Sequence, residues 1–325
     1  MKKLLALAML AICLSTGFLA SAGPAAASTV KIGVQPWLGY GPWWIAAEKG
    51  FFAKHGVDAE VVNFTWDADM SAAVASGRVQ VIAAATNTLI AIRNQGVDLQ
   101  GFLVLDSAYE ADAVLAPNSV KSIAELKGKK VAYEAGATSD LLINYALKEN
   151  GMSIKDIEPI NMAAADAGLA LIAGRVDVAV TYEPYISAAL RQGEGYKVLY
   201  TGAEKPGLIS DVAVSSSTYI KENPKTIEAL IKAWDDAVRF LNDNPDEGGK
   251  IIADAVKSPM DEYKLAMQGV RVYDLKGNQE ILAGDFQKTM VDINTIMKDT
   301  NPEVIKTVAD PADTLGIDVI KSMTN

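Results

Sequence analysis

The residues of this chain that could do chemistry gather where short apolar strands run out into helices. Gln35, Trp37 and Tyr40 follow Val30–Val34, Trp66 and Asp67 follow Ala59–Phe64, and Thr86 and Asn87 follow Val79–Ala85. Asp106, Ser107 and Tyr109 come after Leu99–Leu105. Later loops carry Tyr133 with Glu134, then Thr138, Ser139 and Asp140, then Asp166, and finally Tyr182 with Glu183. None of these loops holds a lysine, arginine or histidine. If they converge, they offer hydroxyls, ring faces, helix N-termini and several carboxylates. Carboxylates beside rings favour a positive nitrogen. Taken singly, each acid reads as readily as a helix cap, so the collective bias is what points to a site for a small solute.

The inventory for catalysis is thin. His55 is the sole histidine and sits in the polar turn Phe52–Gly56, where a solvated side chain is expected. There is no nucleophile elbow, no lysine-bearing phosphate loop, no HExxH and no calcium loop. The acid pairs Asp67/Asp69 and Asp310/Asp313 read as helix caps. Cys13 is the only cysteine, inside the apolar run Leu4–Leu14. Without it the chain has no thiol nucleophile, disulfide or cysteine metal site. No cofactor and no metal are expected.

The elements that must position these residues alternate. A strand at Val30–Val34 leads through Gln35-Pro36 and an aromatic, glycine-rich loop into a helix. Pro42 suits its first turn and Gly50 its C-terminal cap. Strands and helices then alternate to Leu105, and the rhythm restarts from Asp112 to Tyr200, which predicts βαβ units in two α/β lobes with parallel sheets. From Pro224 the texture turns helical. Ile227, Leu230, Ile231, Trp234, Val238 and Leu241 form one apolar stripe, so Trp234 reads as core. The Asp261–Met267 and Phe286–Met297 segments read as further amphipathic helix, expected to pack on the first lobe and to supply no chemistry.

Length and charge agree. At 325 residues there is room for two cores. Residues 1–27 hold two lysines and no acid, so the rest carries −12 of a chain whose net charge is −10. That argues against nucleic acid and anionic membrane as partners. Lys2-Lys3, the apolar run and Ala25-Ala26-Ala27 read as an export signal cut before Ser28. No other stretch is long enough to span a bilayer, so a soluble, exported and periplasmic protein is expected. Ile12 before Cys13 argues against a lipid anchor.

The stretches KIGVQPWLGYGPWWIAAEKGFF, SGRVQVIAAATNT, VAYEAGATSDLL, NMAAADAGLALIAGRVDVAVTYEPYIS and PGLISDVAV, in this order, resemble the nitrate/sulfonate/taurine-type solute-binding proteins of ABC importers, with thiamine-precursor-binding relatives. The resemblance implies a type II periplasmic-binding-protein fold: two α/β lobes joined by two crossover strands, with a helical C-terminal part. It places lobe one at 28–107 plus 212–325 and lobe two at 108–211, with crossings near Asp106–Asp112 and Ile209–Val214. Implied partners are a small-molecule solute and an ABC permease with its ATPase, the binding protein itself being a monomer. The implied ligand contacts are Gln35, Trp37, Tyr40, Trp66, Thr86, Asn87, Asp106, Tyr109, Glu134, Thr138, Ser139, Asp140, Glu183 and Asp211. Their acidity points to a nitrogen-bearing solute: an amine, an amino sulfonate such as taurine, or a pyrimidine. A simple anion such as nitrate or an alkanesulfonate is the alternative, because Thr86, Asn87, Thr138 and Ser139 at helix N-termini could hold one. A thiamine-pyrimidine-synthesising enzyme, also suggested by the resemblance, would need cysteines that this chain lacks.

Overall fold

A computed structural model describes residues 29–192 and 195–323; the expected export signal and Cys13 lie outside them. The first sheet contains β1 (Val30–Val34), β2 (Ala59–Asn63), β3 (Val81–Ala85) and β4 (Leu99–Ala108). The second holds β5 (Asp112–Pro117), β6 (Lys130–Tyr133), β7 (Glu158–Asn161), β8 (Val178–Tyr182) and β9 (Tyr196–Thr201). The chain then returns to the first sheet with β10 (Ile209–Ser216) and β11 (Val270–Val272). The spatial orders are β11-β4-β10-β3-β1-β2 and β7-β6-β8-β5-β9.

The sheets are mixed, not wholly parallel as the alternation predicts. β1 runs parallel to β2 and β3, and β6 parallel to β7 and β8, as βαβ crossovers require. The strands that carry the chain between sheets run the other way. β10 is antiparallel to β3 and β4, and β5 to β8 and β9. Hydropathy cannot signal this reversal, because a strand buried on both faces reads as the same apolar run in either direction. β3, with all five residues buried, is such a case.

The opening helix, Gly41–Glu48, packs on the long helix Pro224–Asp243. Trp43 meets Trp234 at 4.8 Å between ring centroids and stacks on Phe52 at 6.1 Å. Both tryptophans are fully buried, and Trp234 Nε1 donates to the Tyr273 carbonyl at 2.9 Å. The apolar stripe is therefore core, as its spacing predicts. Gly50 ends the first helix at φ 71°, a conformation that glycine adopts without strain.

The C-terminal part departs from expectation. Helix Asp285–Thr300 packs both on helix Thr86–Asn94, beside the first sheet, and on Thr138–Glu149, beside the second. Lys148 pairs with Asp299 at 2.8 Å and Arg191 with Glu262 at 2.5 Å. These segments thus fasten the two halves together instead of serving the first alone. Amphipathic spacing shows that a helix has a buried face, not what covers it. His55 is also not simply solvated. Its Nε2 lies 2.6 Å from Asp236 Oδ2 and it is half-buried beside Lys54, which bonds the same carboxylate.

Candidate functional site

Between the two sheets lies a small cavity of about 30 Å³, room for about two waters. The loop after β1 supplies Gln35, Trp37 and Tyr40 from one side. Gln35 Nε2 donates to the Thr65 carbonyl at 3.2 Å. The loop packs tightly against β4: a Cβ on Gly39 would fall 2.1 Å from Asp106 Oδ2 and 2.5 Å from Trp37 Nε1. Only glycine lets Trp37 and Asp106 meet there. Asp67 starts helix Asp67–Ala75 on the same side.

The facing wall is built from the second half. Glu134 follows β6; Ala137, Thr138 and Ser139 open helix Thr138–Glu149; Ala164 opens helix Ala164–Ile172. Tyr182 ends β8 opposite Asp112 of β5. Ile209 and Asp211 complete the lining from the start of β10. Trp37 and Tyr182 meet edge to face across the gap, with centroids 5.9 Å apart.

A hydrogen-bonded chain runs along the floor. Tyr40 Oη donates to Asp211 Oδ1 at 2.9 Å, and Trp37 Nε1 lies 3.2 and 3.3 Å from the two Asp106 oxygens. Asp106 and Asp211 are cross-strand partners whose carboxyls bond each other. Two carboxylates can do so only by sharing a proton, which the pair holds between them. Burial, then the Asp211 charge, hold Asp106 well above the usual carboxylate range. Burial lifts Asp211 to about 6, tempered by the bonds it accepts from Asp106 and Tyr40. Asp112 is raised well above its ordinary value by burial and then by Asp211 and Glu183. Asp67 is raised likewise by burial and then Glu134.

Glu134 is held differently. Its Oε1 accepts from the Asp67 backbone N–H at 2.6 Å and its Oε2 from the Ala164 N–H at 3.2 Å. Its carboxyl therefore bridges two helix N-termini, one from each half. Burial raises its pKa, and the two N–H donors pull it back. Ser139 Oγ fixes the turn behind it by accepting from the Glu134 N–H at 2.9 Å.

Of the expected contacts, Gln35, Trp37, Tyr40, Glu134, Thr138, Ser139 and Asp211 line the cavity, and Asp106 stands directly behind it. The others point elsewhere. Thr86 Oγ1 is 2.9 Å from both the Ser210 carbonyl and its hydroxyl, tying its helix to β10. Asn87 and Asp140 line a smaller space of about 20 Å³ against Asn301, where Asp140 accepts from Gly136 N–H at 2.9 Å and Asn144 Nδ2 at 2.6 Å. Glu183 accepts from Ser187 N–H at 3.0 Å and its hydroxyl at 2.9 Å, capping helix Tyr185–Leu190. Trp66 is half-buried beside the cavity without lining it, and Tyr109 lies in the link between β4 and β5, its N–H on the Gly269 carbonyl.

Six lining residues were not among the expected contacts: the polar Asp67, Asp112 and Tyr182 and the apolar Ala137, Ala164 and Ile209. Asp67 is no side-chain cap of its helix; it accepts from Thr88 Oγ1 at 3.5 Å and faces the gap. Asp310 does cap its helix, accepting from Ala312 N–H at 2.9 Å. Among the described residues that line the cavity, none is lysine, arginine or histidine. None of the described residues form a group of three or more His, Cys, Asp or Glu able to hold a metal, and no described helix is long and apolar enough to cross a membrane.

Two mixed sheets enclosing a cleft between them are the periplasmic-binding-protein architecture, and solved structures bear this out. The alkanesulfonate-binding protein SsuA from Xanthomonas axonopodis, bound to MOPS, superposes with a TM-score of 0.75 at 18% identity, over 90% of this chain and 99% of that one. The nitrate-binding protein NrtA from Synechocystis gives 0.63 at 19%, over 88% and 90%. In sequence, the taurine-binding periplasmic protein of Escherichia coli is 25% identical over 270 residues, 78% of this chain and 81% of that one. Residues 39–248 match the NMT1/THI5-like family, and the chain belongs to it.

Proposed function

We propose that the protein is the extracytoplasmic solute-binding component of an ABC importer, and that its solute presents a positively charged nitrogen to the cleft. An amine or a protonated pyrimidine fits this description best, with an amino sulfonate such as taurine included. The observation that carries the reading is the wall itself: Asp67, Asp112, Glu134 and Asp211 line one small cavity with Trp37, Tyr40 and Tyr182, and no basic lining residue answers them. Burying carboxylates without a counter-charge is costly, and here burial raises the pKa of all four. A cation would restore their charge, bond to them and stack on the rings. The names of the sulfonate-, nitrate- and taurine-binding relatives support the transport role.

In this reading the lobes turn about the two links between the sheets, residues 109–111 and 202–208. The cavity as it stands has room for about two waters, so a larger solute needs the lobes to part. Closing then adds contacts from the second wall, and the solute favours the closed form by its extra affinity for it. The closed face would dock on a membrane permease.

A second reading, a simple anion, is favoured by one feature: the N-termini of helices Asp67–Ala75, Thr138–Glu149 and Ala164–Ile172 all reach the cavity. Partial positive charge there suits an anion. A thermal-shift panel separates the two. Ethanolamine, taurine, an aminomethylpyrimidine, methanesulfonate and nitrate should be added to the purified protein. Ligands of the folded state raise its melting temperature. We expect shifts only from compounds bearing an amine or a protonatable ring nitrogen. A shift from nitrate or methanesulfonate alone would overturn the cationic reading.

A further inference from the structure

The anion-favouring helix ends and the acid-rich wall meet at one side chain. We propose that Glu134 is a built-in anion that fills the seat between two helix N-termini and so sets the charge selectivity of the cleft. The inference shares the solute-binding reading above but stands apart from its choice of solute.

The geometry carries it. The Asp67 and Ala164 N–H groups are the first of their helices, donors that the helices themselves cannot satisfy. They come from opposite walls and converge on the two oxygens of one carboxylate, at 2.6 and 3.2 Å. A planar three-atom anion between two helix ends is how such ends hold a free carboxylate or nitrate. Here the anion is tethered through β6 and stiffened by Ser139, so nothing need be recruited from solution. Asp69 and Asp166, in the first turns of the same two helices, further oppose a second negative charge.

A second observation shows that the adjoining space awaits a ligand. The Tyr182 hydroxyl has no hydrogen-bond partner, although the residue is only 8% exposed and lines the same cavity. Glu134, Asp67 and Asp112 all act on it electrostatically. A buried hydroxyl left unpaired is costly, and a solute N–H beside Glu134 would satisfy it. With the anion seat filled from within, what remains beside Tyr182 is a place for a donor.

The test is chemical rescue. Truncating the side chain in Glu134→Ala removes the carboxylate and leaves its two donors. Acetate, the excised group, and nitrate, its planar counterpart, should then bind where the wild type refuses them. At constant ionic strength with chloride as control, about 50 mM acetate should raise the variant's melting temperature by about 2–4 °C and bind at least roughly tenfold more tightly than to wild type. Glu134→Ser is read in the same way. Protection of the wild type by acetate or nitrate equal to that of the variants would overturn the proposal. So would a folded variant that gains no anion, or failure of both variants to fold even with acetate present. Recovery of folded variant only in acetate would uphold it. An amine that binds wild type while neither variant gains an anion would sink this inference and leave the cationic-solute reading intact.

Discussion

The floor of the cleft is made of buried carboxyls whose pKa values burial raises. Burial raises Asp211 to about 6 from an ordinary 3.8, tempered by the bonds it accepts from Asp106 and Tyr40. A group whose folded pKa is raised stabilises the fold fully below its unfolded pKa, and that contribution is lost as pH rises through the folded value. The empty protein should therefore lose stability from about pH 4 to pH 6, by of order 2 kcal/mol from this group. Asp67, Asp106 and Asp112, raised in the same direction, extend the loss to higher pH. Melting temperatures measured across that range should slope downward, and Asp211→Asn should flatten the slope between pH 4 and 6. An unchanged slope in the variant would show that Asp211 does not titrate there.

Residues also mark the limits of sequence reading. Trp37, Tyr40 and Glu134 were legible because they fall in loops at strand ends, where α/β sheets bind ligands. Asp112 was not singled out, because it sits inside the strand periodicity, and a sequence does not show which end of a strand meets the cleft; Tyr182 stood among the loop residues but not among the expected contacts. Glu183 and Thr86 misled for the opposite reason. They occupy the expected loops, but Glu183 turns to Ser187 four residues on and Thr86 to the backbone of β10. The serine at that spacing was a visible hint of a local cap.

Among elements, the order of strands and helices and the apolar stripe of Pro224–Asp243 follow from periodicity, and the structure keeps them. Strand direction in β5 and β10 does not follow, nor does the double attachment of Asp285–Thr300, since both depend on partners distant in sequence. The tryptophan pair, fully buried, joins the first helix to the long one. Trp234→Ala should cost about 3–5 kcal/mol by opening a cavity and removing the Nε1 bond to the Tyr273 carbonyl. Urea unfolding would read this directly, and a loss below about 1 kcal/mol would mean that the pair is dispensable to the core.

At the scale of the whole molecule, two walls close over acids that have no basic residue among them. Contacts spread along the seam hold the closed form: Glu134 on Asp67, Lys148 on Asp299, Arg191 on Glu262 and Trp37 on Tyr182. The surface ion pairs among them are each worth little. In the proposed reading, closure rests on the buried centre, and the charge that enters it selects the solute. Calorimetric titration with taurine and with isethionate, which differ only in an ammonium replaced by a hydroxyl, alongside ethanolamine and ethylene glycol, isolates that charge. The account predicts binding by an ammonium-bearing member of these pairs and at least roughly tenfold weaker binding by its hydroxyl counterpart, a gap of about 1.4 kcal/mol or more. Isethionate binding as tightly as taurine, with ethanolamine inert, would contradict it.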